Sequence, residues 1–238
     1  MSTGAVDASE SGDGNPPPTG SWLTDADDAE LLAHDARWTI RRRASAALRS
    51  LGYIVARGDL DVAALEAIED VVERQLAAVA GVPDMGDRTE YMRASGIEGP
   101  RNRLALEMSA VAGRSNPSSL PLTLSYGDQN QLIGTFTPFA CHEGPPGFLH
   151  GGLIAALFDE FLGLSQTELQ RPPAMTGTLT VRYIKPTPLA RPLHMTLSEI
   201  VSDGRKRFAK SELWAGAERT AICEAIFIET HDEASADG

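Results

Sequence analysis

The chain has 238 residues, of which 42% are apolar, and a formal net charge of −12. That is enough chain and enough apolar surface for one good-sized domain plus an extension. No run reaches the roughly 18 apolar residues of a membrane span. The acidic N-terminus lacks the basic-then-apolar pattern of a targeting segment, so a cytoplasmic protein is expected. The charge itself sits at the ends: seven acidic side chains lie in residues 1–30 and four more at Glu229, Asp232, Glu233 and Asp237, with no Lys or Arg among them. Removing these eleven leaves a body near −1, which offers no support for a nucleic-acid partner.

Residues 1–23, rich in Ser, Gly, Asp and Pro, are predicted to be a disordered acidic tail, because they cannot bury enough apolar surface to offset ordering entropy. A helix is predicted to start after Thr24 or Asp25, with Asp27, Asp28 and Glu30 at its positive end. It runs through Leu31, Leu32, Trp38 and Ile40 to about Leu51, where Gly52 stops it. Arg41, Arg42 and Arg43 read as a solvated basic face of that helix. A second helix follows Asp59, with Leu65, Ile68, Val72, Leu76 and Val79 on one apolar face and Gly81 and Pro83 at its end. Residues 83–118 read as a linker with one short helix near Leu104–Val111. Residues 24–115 together form a helical N-terminal extension.

From Leu120 the texture changes. Leu120–Tyr126 and Gln131–Cys141 have strand composition, and a helix is predicted from Gly151 to about Ser165. Four more strands follow at Thr176–Ile184, Leu193–Val201, Arg207–Trp214 and Ala221–Glu229. Asp203-Gly204 and Gly216 mark hairpin turns. The helix is apolar almost all round, so it should be buried with the sheet wrapped about it. This α+β order predicts a hotdog arrangement over residues 116–230, followed by an acidic C-terminal tail at 231–238.

On that helix Gly151, Ala155, Asp159 and Gly163 fall four apart, a row of small residues around one carboxylate. Small side chains admit a slender ligand or another backbone, and a carboxylate among apolar neighbours is costly unless used. Glu160 points about 100° away. His150-Gly151-Gly152 opens the helix, where free N–H groups favour negative charge and suit the oxyanion of thioester hydrolysis. Gly151 and Asp159 are about 12 Å apart along the axis. One thioester carbon cannot reach both, so a dimer with two shared sites is expected.

At these residues the sequence resembles the hotdog thioesterase superfamily, in which an HGG is followed by an acid nine residues after the His. It is most similar to the thioesterase superfamily member 4/5 branch, acyl-CoA thioesterases of medium and long chains. Glu143 through Gly152 with Asp159 carry the resemblance, and Met175-Thr176, Tyr183, Pro186, Pro188, Leu189, Gly204-Arg205-Lys206 and Glu224-Ala225 agree with it. The resemblance implies that Asp159 is the catalytic acid, as base or nucleophile. It likewise implies that the Gly151 amide is the oxyanion hole, that His150 orients the thioester and that Thr176 helps position water. Gly152 lets substrate approach. The phenylacetate-pathway branch often has Asn six residues before the His, where this chain has Gly144; an aromatic substrate is therefore not implied.

Coenzyme A is polyanionic, and residues 182–210 supply Arg182, Lys185, Arg191, Arg205, Lys206, Arg207 and Lys210 against Glu199 and Asp203. Arg205 and Lys206 match nucleotide-binding positions of the branch, and Arg182 and Lys185 lie nearby in sequence. Cys141 and Cys223 are read as buried free thiols in strands, as in a reducing cytoplasm. Cys141 and His142 should then point to opposite faces, away from nucleophile chemistry. His142, His194 and His231 have no metal spacing, so no metal or other cofactor is expected, coenzyme A being part of the substrate. The expected activity is hydrolysis of a fatty acyl-CoA by a homodimer or dimer of dimers. Alternatives are a non-catalytic acyl-CoA sensor and a hotdog hydratase or dehydratase.

Overall fold

The computed structural model describes residues 36–86, 106–127, 131–169 and 171–230. The proposed tails, the start of the first helix, His231 and the first two residues of the predicted Leu104–Val111 helix lie outside them; of the rest only 106 and 107 are helical, and 108–111 turn. Helix α1 spans Arg37–Arg57 and α2 spans Val62–Ala78. Strands β1 (Thr123–Tyr126) and β2 (Leu132–Phe136) precede α3 (Gly151–Glu168). Strands β3 (Ala174–Tyr183), β4 (Leu193–Asp203), β5 (Lys206–Ala215) and β6 (Glu218–Glu229) follow it.

Helix α1 runs through Gly52 and ends at Gly58, whose N–H donates to the Ile54 carbonyl at 2.7 Å. A mid-helix glycine costs only about 1 kcal/mol, so Gly52 does not stop the helix as the sequence suggested. The arginine run is not one solvated face either. Arg42 donates from Nε to both oxygens of the buried Glu107, at 3.1 and 3.0 Å, while Arg41 lies over the Trp38 ring at 5.3 Å. Helix α2 begins at Asp61, whose side chain accepts from the Ala64 N–H at 2.8 Å. None of its residues is buried.

The six strands form one antiparallel sheet in the order β1-β2-β4-β5-β6-β3. Gly204 and Gly216 turn the two hairpins with φ of 56° and 64°, as their places in the sequence predicted. The second strand ends at Phe136 rather than Cys141. Pro138 lacks a ladder donor, and Ala140–His142 closes into a short 3₁₀ turn instead. Inside the curved sheet, α3 buries Ile154, Leu157, Phe158, Phe161 and Leu162 against Leu122, Leu193, Met195, Leu213 and Phe227. Gly134 is needed there, since a Cβ would stand 2.9 Å from the Phe161 ring. The helix is not buried all round, however: Gly152 and Asp159 on its small-residue side are exposed.

One charge is locked inside. Arg207 is fully buried and pairs with Glu229 Oε1 at 2.8 Å, Gln166 Oε1 at 2.7 Å and the Pro172 carbonyl at 2.6 Å. It is therefore structural and not part of a phosphate-gripping cluster. Arg207→Met removes the cation and leaves the buried Gln166 Oε1 and the Pro172 carbonyl without their donor, and a loss of about 1–3 kcal/mol is expected in urea unfolding. An unchanged midpoint would show that the pair contributes nothing.

Candidate active site

The helix start is held from three sides. Leu149 N–H donates to the Thr187 carbonyl at 2.8 Å, and His150 N–H donates to the His142 carbonyl at 2.9 Å. Below them, Gly144 N–H donates to Phe148 O at 2.9 Å. A Cβ at residue 144 would fall 2.7 Å from the His150 Cα, so glycine is required where the phenylacetate-pathway pattern has Asn. Gly147, at φ 83°, donates to Glu143 Oε1 at 2.6 Å, and the other Glu143 oxygen pairs with Arg57 at 2.8 Å. The last turn of α1 thus anchors the loop that carries His150, a link the sequence did not reveal.

His150 caps α3: its Nδ1 accepts the Gly152 N–H at 3.0 Å, which places the proton of the neutral ring on Nε2. Leu153 and Ile154 donate to the His150 carbonyl at 3.0 and 3.2 Å. The Gly151 N–H has no acceptor among the described residues, so a donor stands free at the positive end of the helix. On the other side, the Tyr183 hydroxyl donates to the Gly151 carbonyl at 2.8 Å and its ring lies against Gly151, where a Cβ would meet it at 3.3 Å. Tyr183 orients this peptide and was not singled out for that role from sequence.

Two turns along α3, the exposed Asp159 accepts the Thr176 hydroxyl on Oδ1 at 2.7 Å, which leaves Oδ2 open. Thr176 reaches the helix because of a bulge. The β3–β6 register slips between Thr176 and Thr178, so Thr176 and the odd-numbered Leu179, Val181 and Tyr183 all face α3. Bulges re-aim side chains in this way, and only Gly177 hinted at one. Behind the carboxylate lies Cys223, fully buried on β6; burial first, then Asp159, then Glu224 push its thiol up to about 12.

Cys141, read as buried in a strand, is exposed in the 3₁₀ turn. Its Sγ lies 3.8 Å from His142 Nε2, so the two side chains do meet. Yet His142 Nδ1 accepts the Phe139 N–H at 2.9 Å. The Nε2 facing the thiol therefore carries the proton and cannot take another, and burial pushes the His142 pKa down. The two thiols should separate sharply: an aromatic disulfide reagent is expected to titrate Cys141 in the native protein and Cys223 only on unfolding. Because the Cys223 pKa is raised, its stability contribution is complete below the ordinary thiol value of 9.0 and lost as pH rises toward about 12. Stability curves should fall over that window and flatten in Cys223→Ala.

The predicted cationic residues divide between the ends of the sheet. Lys185, ion-paired with Glu218, and the exposed Arg182 lie by Tyr183 and the helix start. Lys206 and Arg205, whose Nη2 donates to the Glu229 carbonyl at 3.0 Å, lie at the end where Thr176 meets Asp159. Lys210 is shared between Glu199 and Glu224 at 3.8 and 3.7 Å. His194 stacks on Trp214 with ring centroids 6.3 Å apart. Among the described residues no group of three side chains could hold a metal, and no helix is long and apolar enough to cross a membrane. One chain therefore brings Asp159 to Thr176, and His150 to Gly151 and Gly152, as two separated clusters.

A sheet wrapped about a helix that starts at HGG and carries Asp159 is a hotdog fold, and the chain resembles the thioesterase superfamily. Within it, the chain resembles the thioesterase superfamily member 4 branch. It is 34% identical over 85 residues to acyl-coenzyme A thioesterase THEM4 of Xenopus laevis, covering 36% of this chain and 38% of that protein. It is 33% identical over 93 residues to the Mus musculus protein of the same name, covering 38% and 40%. The matches thus span about two fifths of the curated relatives. A solved thioesterase superfamily protein superposes with a TM-score of 0.63 at 26% identity, over 79% of this chain and 94% of that one, so the likeness extends into the N-terminal helices. No family model matches the sequence.

Proposed function

We propose that the protein hydrolyses fatty acyl-CoA thioesters to the free acid and coenzyme A, in sites shared across a homodimer. The observation that carries this reading is the pairing on one helix of a free N–H at Gly151 with a carboxylate oriented by Thr176. The two groups are too far apart to act on one carbonyl. Strand β3 lies at the sheet edge with Met175 69% and Tyr183 52% exposed, an open edge of the kind that pairs with another strand. Two β3 strands running antiparallel about a twofold axis would bring each Asp159 towards the other subunit's Gly151. They would also bring Arg205 and Lys206 of one subunit towards Arg182 and Lys185 of the other, uniting the separated cations around the coenzyme A phosphates.

In such a site Asp159 takes a proton from water as it attacks the thioester carbon, or attacks directly to give an anhydride that water then opens. Thr176 fixes Oδ1 in either route. The oxyanion is held by the Gly151 N–H, with the His150 Nε2–H as a second donor, and Gly152 keeps the approach open. Coenzyme A leaves as the thiolate. No step requires a metal or redox cofactor, and two free thiols suit the cytoplasm. The relatives' printed names support an acyl-CoA substrate, and glycine at 144, where the phenylacetate-pathway pattern has Asn, speaks for a fatty rather than an aromatic acyl group.

The test is free-thiol release from acyl-CoA substrates of graded chain length. Turnover that rises from acetyl-CoA to medium and long chains is expected. Tight acyl-CoA binding without release would instead make the protein a sensor, and hydration of an enoyl-CoA would make it a hydratase.

A further inference from the structure

A cavity of about 1000 Å³ lies between α1 and the segments flanking β1 and β2, and no residue of α3 or β3 lines it. This is the upper end of the size of small-molecule sites, roughly 300–1,000 Å³. Its wall is mainly apolar, and several large side chains in it remain open: Leu48 53%, Tyr53 42%, Ile54 44% and Phe139 46% exposed. Arg49 also lines it. Its Nη1 donates to the Asn116 carbonyl at 2.7 Å and to the Arg114 carbonyl at 3.3 Å, and its Nη2 to Arg114 O at 3.3 Å. Among the described residues no carboxylate pairs with it, and desolvation lowers its pKa. A guanidinium answered only by neutral carbonyls is a charge half compensated.

An apolar trough beside a cation with no carboxylate partner among the described residues matches a long hydrocarbon chain with a single anionic head. We propose that this groove binds a long-chain carboxylate, with the chain along Leu48, Tyr53, Ile54 and Phe139 and the head on Arg49. The carboxylate would reach the Nε–H and the remaining Nη2–H of Arg49, since its other donors are spent on residues 114 and 116. The chain would cover the open apolar side chains of α1 and Phe139. A bare cation would meet Arg49 with like charge, and a short anion would leave the trough empty. The site is separate from the Asp159 cluster and stands whether or not the protein hydrolyses thioesters.

The experiment is calorimetric titration of the full chain with dodecanoate, dodecyltrimethylammonium and acetate, below micelle-forming concentrations. Dodecanoate is expected to bind one per chain, the ammonium at least about tenfold more weakly, and acetate not at all. Arg49→Met should weaken dodecanoate at least tenfold, with Arg49→Lys in between. Arg49 also ties α1 to residues 114 and 116, so Leu48→Glu provides a second arm. This exposed side chain makes no hydrogen bond, and the new carboxylate would repel the ligand to a similar extent. A saturating non-hydrolysable thioether analogue of dodecanoyl-CoA, which would fill the proposed active site, should leave dodecanoate affinity at its value without the analogue, which separates this groove from that site. No dodecanoate binding, equal binding to Leu48→Glu and wild type, or loss of dodecanoate binding in the presence of the thioether analogue would each overturn the proposal.

Discussion

Asp159→Asn is expected to lower kcat for acyl-CoA hydrolysis by about 10²–10⁴-fold, the range that a positioned general base supplies. Affinity for a non-hydrolysable thioether analogue should be unchanged. Asparagine has the same shape and keeps an oxygen to accept the Thr176 hydroxyl, so the 2.7 Å contact survives. It lacks the basic oxygen on the side that Thr176 leaves open. Thr176→Val is a milder companion: the carboxylate remains but turns, and activity should fall less than in Asp159→Asn. Both effects are read in the same thiol-release assay. Full turnover in Asp159→Asn would remove the carboxylate from the chemistry and with it the proposed reaction.

The second large effect comes from the other end of the helix. Gly151→Pro deletes the free N–H at a position where proline is tolerated, the first residue of a helix. Its Cβ would press on Tyr183, so Gly151→Ala, with the same Cβ and the N–H retained, is the control. Loss of one oxyanion donor typically costs 10²–10³ in kcat, and Gly151→Pro should lose about that much relative to Gly151→Ala. Mixing Asp159→Asn with Gly151→Pro should then restore activity. In a mixed dimer one site carries both lesions and the other carries neither. Random reassortment makes half of the dimers mixed, so about a quarter of wild-type activity is expected from two near-inactive parents. Activity that stays at the parental level after confirmed subunit exchange would show that each chain holds a complete site.

Much of this was readable in advance. Period-2 runs and hairpin glycines located β3 to β6, because Gly204 and Gly216 take a positive φ that other residues resist. The spacing of Gly151 and Asp159 exposed the two-cluster problem, since helical rise is a property of the backbone alone. What escaped were outcomes of packing. Gly52 passes unnoticed inside α1 because a helix of 21 residues absorbs one weak position. Arg207 looked like a surface charge until the sheet carried it to Gln166 and Glu229. Thr176 meets Asp159 only through a register slip that has no sequence period. Cys141 left its strand because Pro138 ended the ladder two residues after Phe136. Asp159 was expected among apolar neighbours and is instead exposed in the single chain, because the side chains beside it are too small to cover it.

The contact beneath His150 has a consequence on another timescale, that of divergence. Side chains at position 144 are barred by a backbone atom, the His150 Cα, and not by a side chain that could swing aside. No single substitution elsewhere relieves that contact; the 144–148 turn must first change path. A descendant of this sequence therefore cannot recruit an amide or carboxylate at position 144 one base change at a time. The loop works as a ratchet, closing one route of substrate innovation while α2, none of whose residues is buried, stays free to drift.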